Sequence, residues 1–356
     1  MPGFVSVIFA ILLFSILIFV HELGHFLAAK AFGVQVNEFS MFMGPAIYKK
    51  QKGETLYSIR CIPIGGYCAM EGEDQDTENP RSFQKASWWK RLIILVAGAA
   101  MNFLIGIVFF TIVYIPTERV GTPVLTEFTE CCTFHGEDGL QVGDEILQID
   151  GERVYTASNI SLLLSLNSTG THDIVVLRDG EKLTFNDLPM AHTCVTEDGQ
   201  EYTHYGIGMG GQEATFGRKL KAIWYTTLDN VRSVRLSLQM LLSGQVGLSD
   251  MAGPVGIVDM MSDAATTAPS FVDALLNLIY FGGFLAVNLG VMNLLPIPAL
   301  DGGRAVALVL TTVIQKITKK KIDPKYEGYI HAAGMILLLG LMALIMFKDI
   351  FTIFKG

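Results

Sequence analysis

Apolar residues along the chain are gathered into four long blocks with polar stretches between them. The first covers Phe4 to Val20 and resumes at Phe26 to Phe32, and the second runs from Leu92 to Ile115 without a charge. The third begins near Leu275 and continues past Leu310, and the fourth covers Ile330 to Phe347. Because about 20 apolar residues cross a hydrocarbon core of roughly 30 Å, the pattern predicts about four transmembrane helices.

The first and third blocks each carry a complication. The first lacks a basic leading region and runs into a polar cluster instead of a small-residue cleavage site, so we expect a retained helix and not a signal peptide. The third is about twice as long as one crossing and is interrupted by Pro296, Pro298, Asp301, Gly302 and Gly303. The prolines predict an unwound segment inside this block.

Composition and charge agree with a membrane protein. Of the 356 residues 51% are hydrophobic and 17% are charged, against about 25% charged in soluble domains. The net charge of −8 and the lack of a dominant basic tract argue against a nucleic-acid partner. Lys and Arg number nine in 30–91, six in 303–328 and nine in the much longer 116–270. The positive-inside rule therefore predicts that 31–91 and 304–329 are cytoplasmic loops, with 116–270 and both termini outside.

Residues 116–211 have the pattern of a small α+β domain inserted between membrane segments. Glu145 to Ile149 and Asp173 to Leu177 alternate like strands, and Ser158 to Leu166 fits a short helix. Asp150-Gly151 and Asp179-Gly180 predict tight hairpin turns. The domain lies on the predicted outer side of the membrane.

The run from Gly139 to Ile146, followed by Ile149-Asp150-Gly151, resembles a PDZ domain, which binds peptides by adding a strand to a sheet edge. A small β-domain that serves only as a plug or spacer is the alternative. On the oxidising outer side, Cys131 or Cys132 could pair with Cys194, whereas Cys61 and Cys68 are expected on the reducing side.

Two further segments have amphipathic patterns. Residues 212–270 form a linker in which Arg218 to Leu242 predicts an amphipathic helix, lying on the bilayer or against the PDZ-like domain. An ordinary core-facing helix is the equal alternative. Residues 47–70 alternate up to Gly65-Gly66 and predict a β-hairpin or small sheet on the cytoplasmic side, with the option that it dips into the membrane. Glu71 to Glu78 is expected to be a solvated acidic loop.

The sharpest chemical signal is His21-Glu22-Leu23-Gly24-His25. On a helix, residues i and i+4 share a face, so both imidazoles can reach one zinc ion. Glu22 beside them can take a proton from the attacking water. Ionisable side chains in an apolar segment are costly and by default functional. The competing interpretation is two histidines that hydrogen-bond to neighbouring helices.

A catalytic zinc site commonly takes three protein ligands. Asp301 is the favoured third ligand because it is the one carboxylate in the third block and follows the proline break, and His331 is the other candidate. Unwound backbone at membrane depth lines a cavity or is buried. Counting at roughly 1.5 Å per residue, His21 and Asp301 can meet at one level, towards the cytoplasmic leaflet.

With these motifs taken together, the sequence resembles the site-2 protease family of intramembrane zinc metalloproteases. The PDZ-like insertion points to its bacterial PDZ-containing branch, similar to the regulator of sigma-E protease. The shared segments, besides the histidine motif, are Phe42 to Pro45, Ile64 to Tyr67, Gly98 to Asn102, Ser249 to Ile257 and Asn293 to Gly303.

The resemblance implies cleavage of single-span membrane proteins, such as an anti-sigma factor or a signal-peptide-like segment, in the bacterial cell (inner) membrane. It implies that His21, His25 and Asp301 bind Zn2+ and that Glu22 is the catalytic base. Asn102 and Asn293 match positions linked to substrate handling, although each could equally make an interhelical hydrogen bond. The hairpin edge at Gly65 and Gly66 could pair with an extended substrate.

The predicted fold is thus a polytopic α-helical membrane protein with about four transmembrane helices, a membrane-associated β-hairpin and an extracytoplasmic PDZ-like domain. Its predicted regions are 1–115, 116–211, 212–270 and 271–356. Two competing functions are a catalytically inactive PDZ membrane scaffold and a metal transporter. The intact set of His21, Glu22, His25 and Asp301 argues against the first, and the large insertion argues against the second.

Overall fold

The computed structural model describes residues 3–73, 77–129, 134, 136, 139–167, 170–190, 192–195, 201–247, 253–319 and 324–355. Its α-helices are α1 (Gly3–Ala31), α2 (Trp88–Tyr114), α3 (Ile160–Ser165), α4 (Phe216–Ser243), α5 (Pro254–Thr266), α6 (Phe271–Leu294), α7 (Asp301–Thr318) and α8 (Pro324–Lys355). Its β-strands are β1 (Val36–Lys52), β2 (Thr55–Met70), β3 (Arg119–Phe128), β4 (Glu145–Ile149), β5 (Glu152–Arg153), β6 (Thr171–Arg178), β7 (Glu181–Pro189), β8 (His192–Val195), β9 (Glu201–His204) and β10 (Ile207–Glu213).

Two compact units divide the chain. The helical unit comprises residues 1–110 and 237–356, and the inserted unit comprises residues 111–236. The cysteine pairing expected between Cys131 or Cys132 and Cys194 lies outside the described side chains.

In the part of the chain that the structure describes, four helices are long and apolar enough to cross a membrane. Their apolar stretches are Val7–Ala31, Trp88–Tyr114, Phe271–Leu294 and Gly328–Asp349. These coincide with the four blocks of the sequence, and the chain is a polytopic membrane protein that also contains β-sheets. The first helix continues without a break through the polar cluster, so the histidine motif is helical as expected.

The prediction that residues 304–329 form a loop is wrong for most of the segment, because α7 covers 301–318 and α8 begins at 324. Gly302, Ala305 and Leu308 recur every third residue and are buried, whereas Leu310 and Ile317 are exposed. This spacing gives one buried face on an amphipathic helix. Polar residues scattered among the apolar ones conceal that face when the segment is scanned for a continuous apolar run.

Small residues bring the membrane helices into close contact. A Cβ on Gly106 would lie 2.7 Å from Val287 Cγ2, and one on Gly290 would lie 3.2 Å from the Ala99 carbonyl oxygen. α2 and α6 therefore approach through glycines. Close approach of this kind is the usual source of van der Waals packing between helices in lipid, where apolar burial gives little driving force.

The β1–β2 hairpin is longer than the segment 47–70 predicted for it and folds into a sheet of four segments. Residues 36–41 lie opposite 66–70 on one side and opposite 56–59 on the other, and 46–52 pairs with 55–60. The segments 46–52 and 66–70 are thus the two edges among the described strands. The first part of β1, residues 36–46, was missed because the polar residues 37, 38 and 40 interrupt a simple apolar pattern.

The inserted unit is built on an antiparallel sheet, with the short helix α3, a separate β8–β9 hairpin and most of α4. The strand order is β10-β3-β4-β6-β7, and β5 pairs with β4. Its buried core includes Leu125, Ile146, Ile174 and Leu163 of α3. Both predicted hairpin turns are confirmed: Asp150-Gly151 and Asp179-Gly180 have positive φ at each of their two residues, as a type I′ turn requires.

Helix α4 is amphipathic, as its sequence pattern predicted. The buried side of α4 packs within the inserted unit: Leu236 joins the core, and Asp229 accepts hydrogen bonds from Thr156 and Asn159. Phe216 and Trp224 on its other side are exposed. The contacts of α4 agree with packing against the inserted domain as a core-facing helix, two of the three alternatives that the sequence left open.

Candidate metal centre

The two histidines of α1 converge on one point. Because α1 is helical from Gly3 to Ala31, His21 and His25 project from the same side one turn apart. Their Nε2 atoms are 3.2 Å apart, and both residues are buried.

Asp301 reaches the same point from the other end of the sequence. It is the first residue of α7, directly after the break that follows α6. Its Oδ2 lies 3.0 Å from His21 Nε2 and 3.2 Å from His25 Nε2. The structure therefore brings together the two histidines and the carboxylate that the sequence singled out.

The three atoms fit a zinc ion in chemistry and in spacing. Bonds of roughly 2.0–2.2 Å in a tetrahedral site put neighbouring ligand atoms about 3.3–3.5 Å apart, and the observed separations are 3.0, 3.2 and 3.2 Å. With Nε2 of both imidazoles unprotonated, the buried Asp301 Oδ2 receives no hydrogen bond, which a cation would compensate. No other group of three potential ligands converges in this way in the described part of the chain.

The outer nitrogen of each imidazole also has a partner. His25 Nδ1 lies 2.8 Å from the Ile94 carbonyl oxygen. A carbonyl can only accept, so Nδ1 carries the proton and Nε2 keeps its lone pair for a metal. His21 Nδ1 lies 3.2 Å from Asn102 Nδ2 and 3.4 Å from Asn293 Nδ2. Both asparagines predicted to handle substrate thus lie beside His21.

Two glycines make room for the histidines between α1 and α2. A Cβ on Gly98 would lie 2.4 Å from His25 Nε2 and 2.7 Å from His21 Cε1. A Cβ on Gly24, within the histidine motif, would lie 2.4 Å from the Ala97 carbonyl oxygen. The sequence marked 98–102 only as a family segment, and the steric need for glycine at position 98 emerges from the structure alone.

The break between α6 and α7 is a tight turn that presents Asp301. Ala299 has φ +81°, a left-handed conformation that is unusual for a residue with a side chain. A Cβ on Gly302 or Gly303 would lie 2.3 Å from backbone oxygens of Leu294 or Ile297. Only glycine lets the first turn of α7 fold back this closely.

His331, the other candidate for the third ligand, lies outside the convergent group and contacts a different partner. Its Nδ1 accepts a hydrogen bond of 3.0 Å from the Ala299 backbone N–H, and it is not part of the convergent group. Its ring therefore contacts the turn before Asp301 and does not join the convergent group. Sequence alone could not separate these roles, because both residues are rare polar groups in apolar blocks.

The hairpin sheet lies beside the motif on α1. A Cβ on Gly66 would lie 3.5 Å from Glu22 Cγ and 3.5 Å from Ile18 Cγ2, and Gly65 has φ +78° with the Met43 side chain against it. At the opposite end of the sheet, Lys30 Nζ donates to Glu54 Oε1 over 2.6 Å. The sheet thus extends along α1 from its last turn back to the level of Ile18, roughly 18 Å of helix.

Arg60 holds a polar network within this sheet. It donates to Glu38 Oε1 over 2.7 Å and to the Gly44 carbonyl oxygen over 2.7 Å. Burial raises the pKa of Glu38, but hydrogen bonds from Ser58, Arg60 and Tyr67 outweigh that effect and keep it below its ordinary value. Arg60 thereby fixes the kink next to Gly44.

An ion pair ties α7 to the segment after the sheet. Arg304, three residues after Asp301, donates to Glu73 Oε1, and Gln84 Nε2 donates to the Glu73 backbone oxygen over 3.1 Å. The stretch expected to be only a solvated acidic loop therefore contacts the first turn of the helix that carries Asp301.

Known proteins resemble this chain over nearly its whole length. Residues 9–341 match the family described as peptidase family M50. The chain is 34% identical over 353 residues to a Clostridium acetobutylicum protein whose name places it among zinc metalloproteases, with 98% of each chain covered. It is 29% identical to the regulator of sigma-W protease RasP of Bacillus subtilis, with 98% of this chain and 99% of that one covered. It is 28% identical to the zinc metalloprotease RasP of Oceanobacillus iheyensis over the same shares.

Proposed function

The chain belongs to peptidase family M50 and is a zinc metalloprotease of the site-2 protease type, and we propose that it cleaves single-span membrane proteins within or near their transmembrane segments. The observation that carries this proposal is the position of the metal centre. His21 and His25 lie on a helix of spanning length, and Asp301 directly follows another. Peptide bonds that reach them are those of a substrate inside or beside the bilayer.

His21, His25 and Asp301 are the proposed zinc ligands, and Glu22 is the proposed base. Zinc at such a site acts as a Lewis acid that polarises a carbonyl and makes water nucleophilic at neutral pH. Glu22 takes one proton from the water whose oxygen bonds to the scissile carbonyl carbon. It then passes that proton to the amine nitrogen as the C–N bond breaks. Its position next to both histidines on α1 and beside Gly66 suits this role.

An extended substrate fits the edge of the hairpin sheet. In the described part of the chain, 66–70 pairs on one side only, and Gly66 lies against Glu22. A substrate strand added at this edge would have its backbone next to the base. Extension also exposes the peptide bond, which a helix would shield from water. Asn102 and Asn293 are the amides closest to the site that could hold such a backbone or donate to the oxyanion.

The proposed orientation follows the distribution of basic residues. Lys30, at the end of α1, and the basic residues of 31–91 indicate the cytoplasmic side. His21 is ten residues, roughly 15 Å of helix, from Ala31, so the proposed site lies towards the cytoplasmic leaflet of the bacterial cell (inner) membrane. The inserted unit is then a PDZ-like domain outside the membrane, where it binds peptides or excludes substrates with a large outer part.

The substrate class follows from the relatives and the topology together. The relative from Bacillus subtilis is named as a regulator of sigma-W protease. We extend to this chain only the class of substrate: a membrane-anchored regulator such as an anti-sigma factor, or a remnant resembling a signal peptide.

The test compares purified full-length wild type with Glu22→Gln and Asp301→Ala, measuring bound zinc and cleavage of a single-span substrate. We expect equal zinc in wild type and Glu22→Gln, at least about 100-fold slower cleavage by Glu22→Gln, and loss of zinc from Asp301→Ala. Glu78→Gln, which alters an exposed carboxylate, is the matched control and should behave as wild type. Normal cleavage by Glu22→Gln would refute the base assignment, and unchanged zinc in Asp301→Ala would refute the ligand set.

A further inference from the structure

Helix α8 contacts the turn before Asp301 at two residues. His331 Nδ1 accepts a hydrogen bond from the Ala299 N–H over 3.0 Å. Three residues further along the same face of α8, a Cβ on Gly334 would lie 2.5 Å from Pro298 Cβ and 2.7 Å from the Pro298 carbonyl oxygen. The backbone of α8 at Gly334 therefore lies directly against Pro298.

These contacts fall on the most constrained part of the turn. Ala299 is left-handed at φ +81°, a conformation that an alanine keeps only where its surroundings enforce it. His331 Nδ1 accepts the hydrogen bond of the Ala299 backbone N–H. Gly334 lies against Pro298 and so restricts the movement of that residue. Asp301 follows two residues later, with Oδ2 3.0 Å from His21 Nε2.

We propose that His331 and Gly334 of α8 hold the Pro298–Ala299 turn in place and thereby position Asp301 as a metal ligand. His331 is a positioning residue that acts through the backbone of Ala299. The inference rests on the proposed role of Asp301 in binding zinc. It gives α8, a spanning helix that contributes none of the proposed ligands, a defined part in the metal centre.

The shape of histidine offers a sharp test. An asparagine at position 331 carries its amide oxygen near the place of Nδ1, a glutamine carries it near the place of Nε2, and leucine has no acceptor. Zinc affinity of the full-length protein is measured by chelator competition, and the site is observed through the visible absorption of the Co2+-substituted protein. We expect His331→Leu and His331→Gln to weaken zinc binding by roughly tenfold or more and to alter the Co2+ spectrum. His331→Asn should stay within about twofold of wild type.

A second pair of variants tests the packing contact without touching the imidazole. Gly334→Ala should weaken zinc binding to a similar degree because its Cβ would push Pro298 away. Gly340→Ala lies on the same helix in open space and should bind zinc as wild type. Wild-type zinc affinity in His331→Leu and Gly334→Ala, or equal loss in all three His331 variants, would overturn the inference.

Asp301→Ala separates this inference from the proposed function. If Asp301→Ala loses zinc while His331→Leu and Gly334→Ala retain it, the ligand set stands and only the positioning role fails. If Asp301→Ala retains zinc, the ligand set itself fails.

Discussion

Asn102 places its side-chain amide 3.2 Å from His21 Nδ1, the ring nitrogen that does not face Asp301. Asn102 is fully buried, and its Oδ1 has no hydrogen-bond partner. A zinc ion on Nε2 requires the proton on Nδ1, which then needs an acceptor. A half-turn of the amide would bring Oδ1 to Nδ1 and satisfy both groups, because the two ends of an amide are assigned from their contacts.

Replacing Asn102 with leucine is therefore expected to weaken zinc binding by roughly 10–100-fold, the usual cost of losing an outer partner of a ligating histidine. Asn102→Asp keeps an acceptor for Nδ1–H and should retain zinc. Chelator competition on the purified proteins measures both. If Asn102→Leu binds zinc as wild type but cleaves slowly, Asn102 handles substrate, as the family resemblance suggests.

Adding a methyl group at Gly98 should disrupt the positions of the two imidazoles in the same centre. The Cβ of Gly98→Ala would lie 2.4 Å from His25 Nε2 and 2.7 Å from His21 Cε1, so both imidazoles must move. Because the ring positions define the site, we expect at least about tenfold weaker zinc binding. Ala100→Gly, on an exposed position of the same helix, controls for a general change in α2, and zinc binding by Gly98→Ala equal to that of this control would contradict the packing argument.

The parts of the site that the sequence could predict are those set by local spacing. His21 and His25 are four residues apart on a helix, so their convergence follows from helix geometry. Asp301 was found because a carboxylate in an apolar block needs a partner. The hairpin turns at 150–151 and 179–180 were likewise local signals.

The remaining features depend on contacts between distant segments. The contact of Asn102 with His21 joins residues 81 positions apart. The contact of His331 with Ala299 joins residues 32 positions apart. Polar residues in apolar blocks indicate only that some partner exists. The identity of that partner depends on how α2, α7 and α8 pack against their neighbours. Glycines such as Gly98 and Gly334 permit this packing, but no periodic pattern in the sequence predicts it.

The stability of the turn between β1 and β2 should depend on pH. Hydrogen bonds from Arg81 and then Lys30 lower the pKa of Glu54 from 4.5 to about 2. Because the pKa of Glu54 is lower in the folded protein than in the unfolded chain, its ionised form stabilises the fold at pH values above the unfolded-state pKa. This stabilisation is lost as the pH falls from about 5 towards 2. Because these groups are partly exposed, the contribution is at most about 1 kcal/mol.

Hydrogen exchange at residues 50–56 measures this contribution. At pH 7, Glu54→Gln should exchange faster than wild type, and the difference should shrink as the pH falls below about 5. High salt should shrink it as well, since screening weakens exposed ion pairs. A difference that stays constant from pH 7 to pH 3 would show that the ion pairs with Lys30 and Arg81 do not hold the turn.

The far end of α8 is expected to stabilise α5. Asp349 Oδ2 accepts hydrogen bonds from the backbone N–H groups of Gly253 over 2.9 Å and Gly256 over 3.1 Å, at the helix end whose N–H groups lack partners within the helix. Losing a buried, charged acceptor there costs about 1–3 kcal/mol, so Asp349→Ala should lower the hydrogen-exchange protection of 254–266. Asp349→Asn keeps one acceptor oxygen and should have a smaller effect, while Asp259→Ala, on an exposed position of α5, should have none. Equal protection in Asp349→Ala and wild type would mean that other contacts fix α5 against α8.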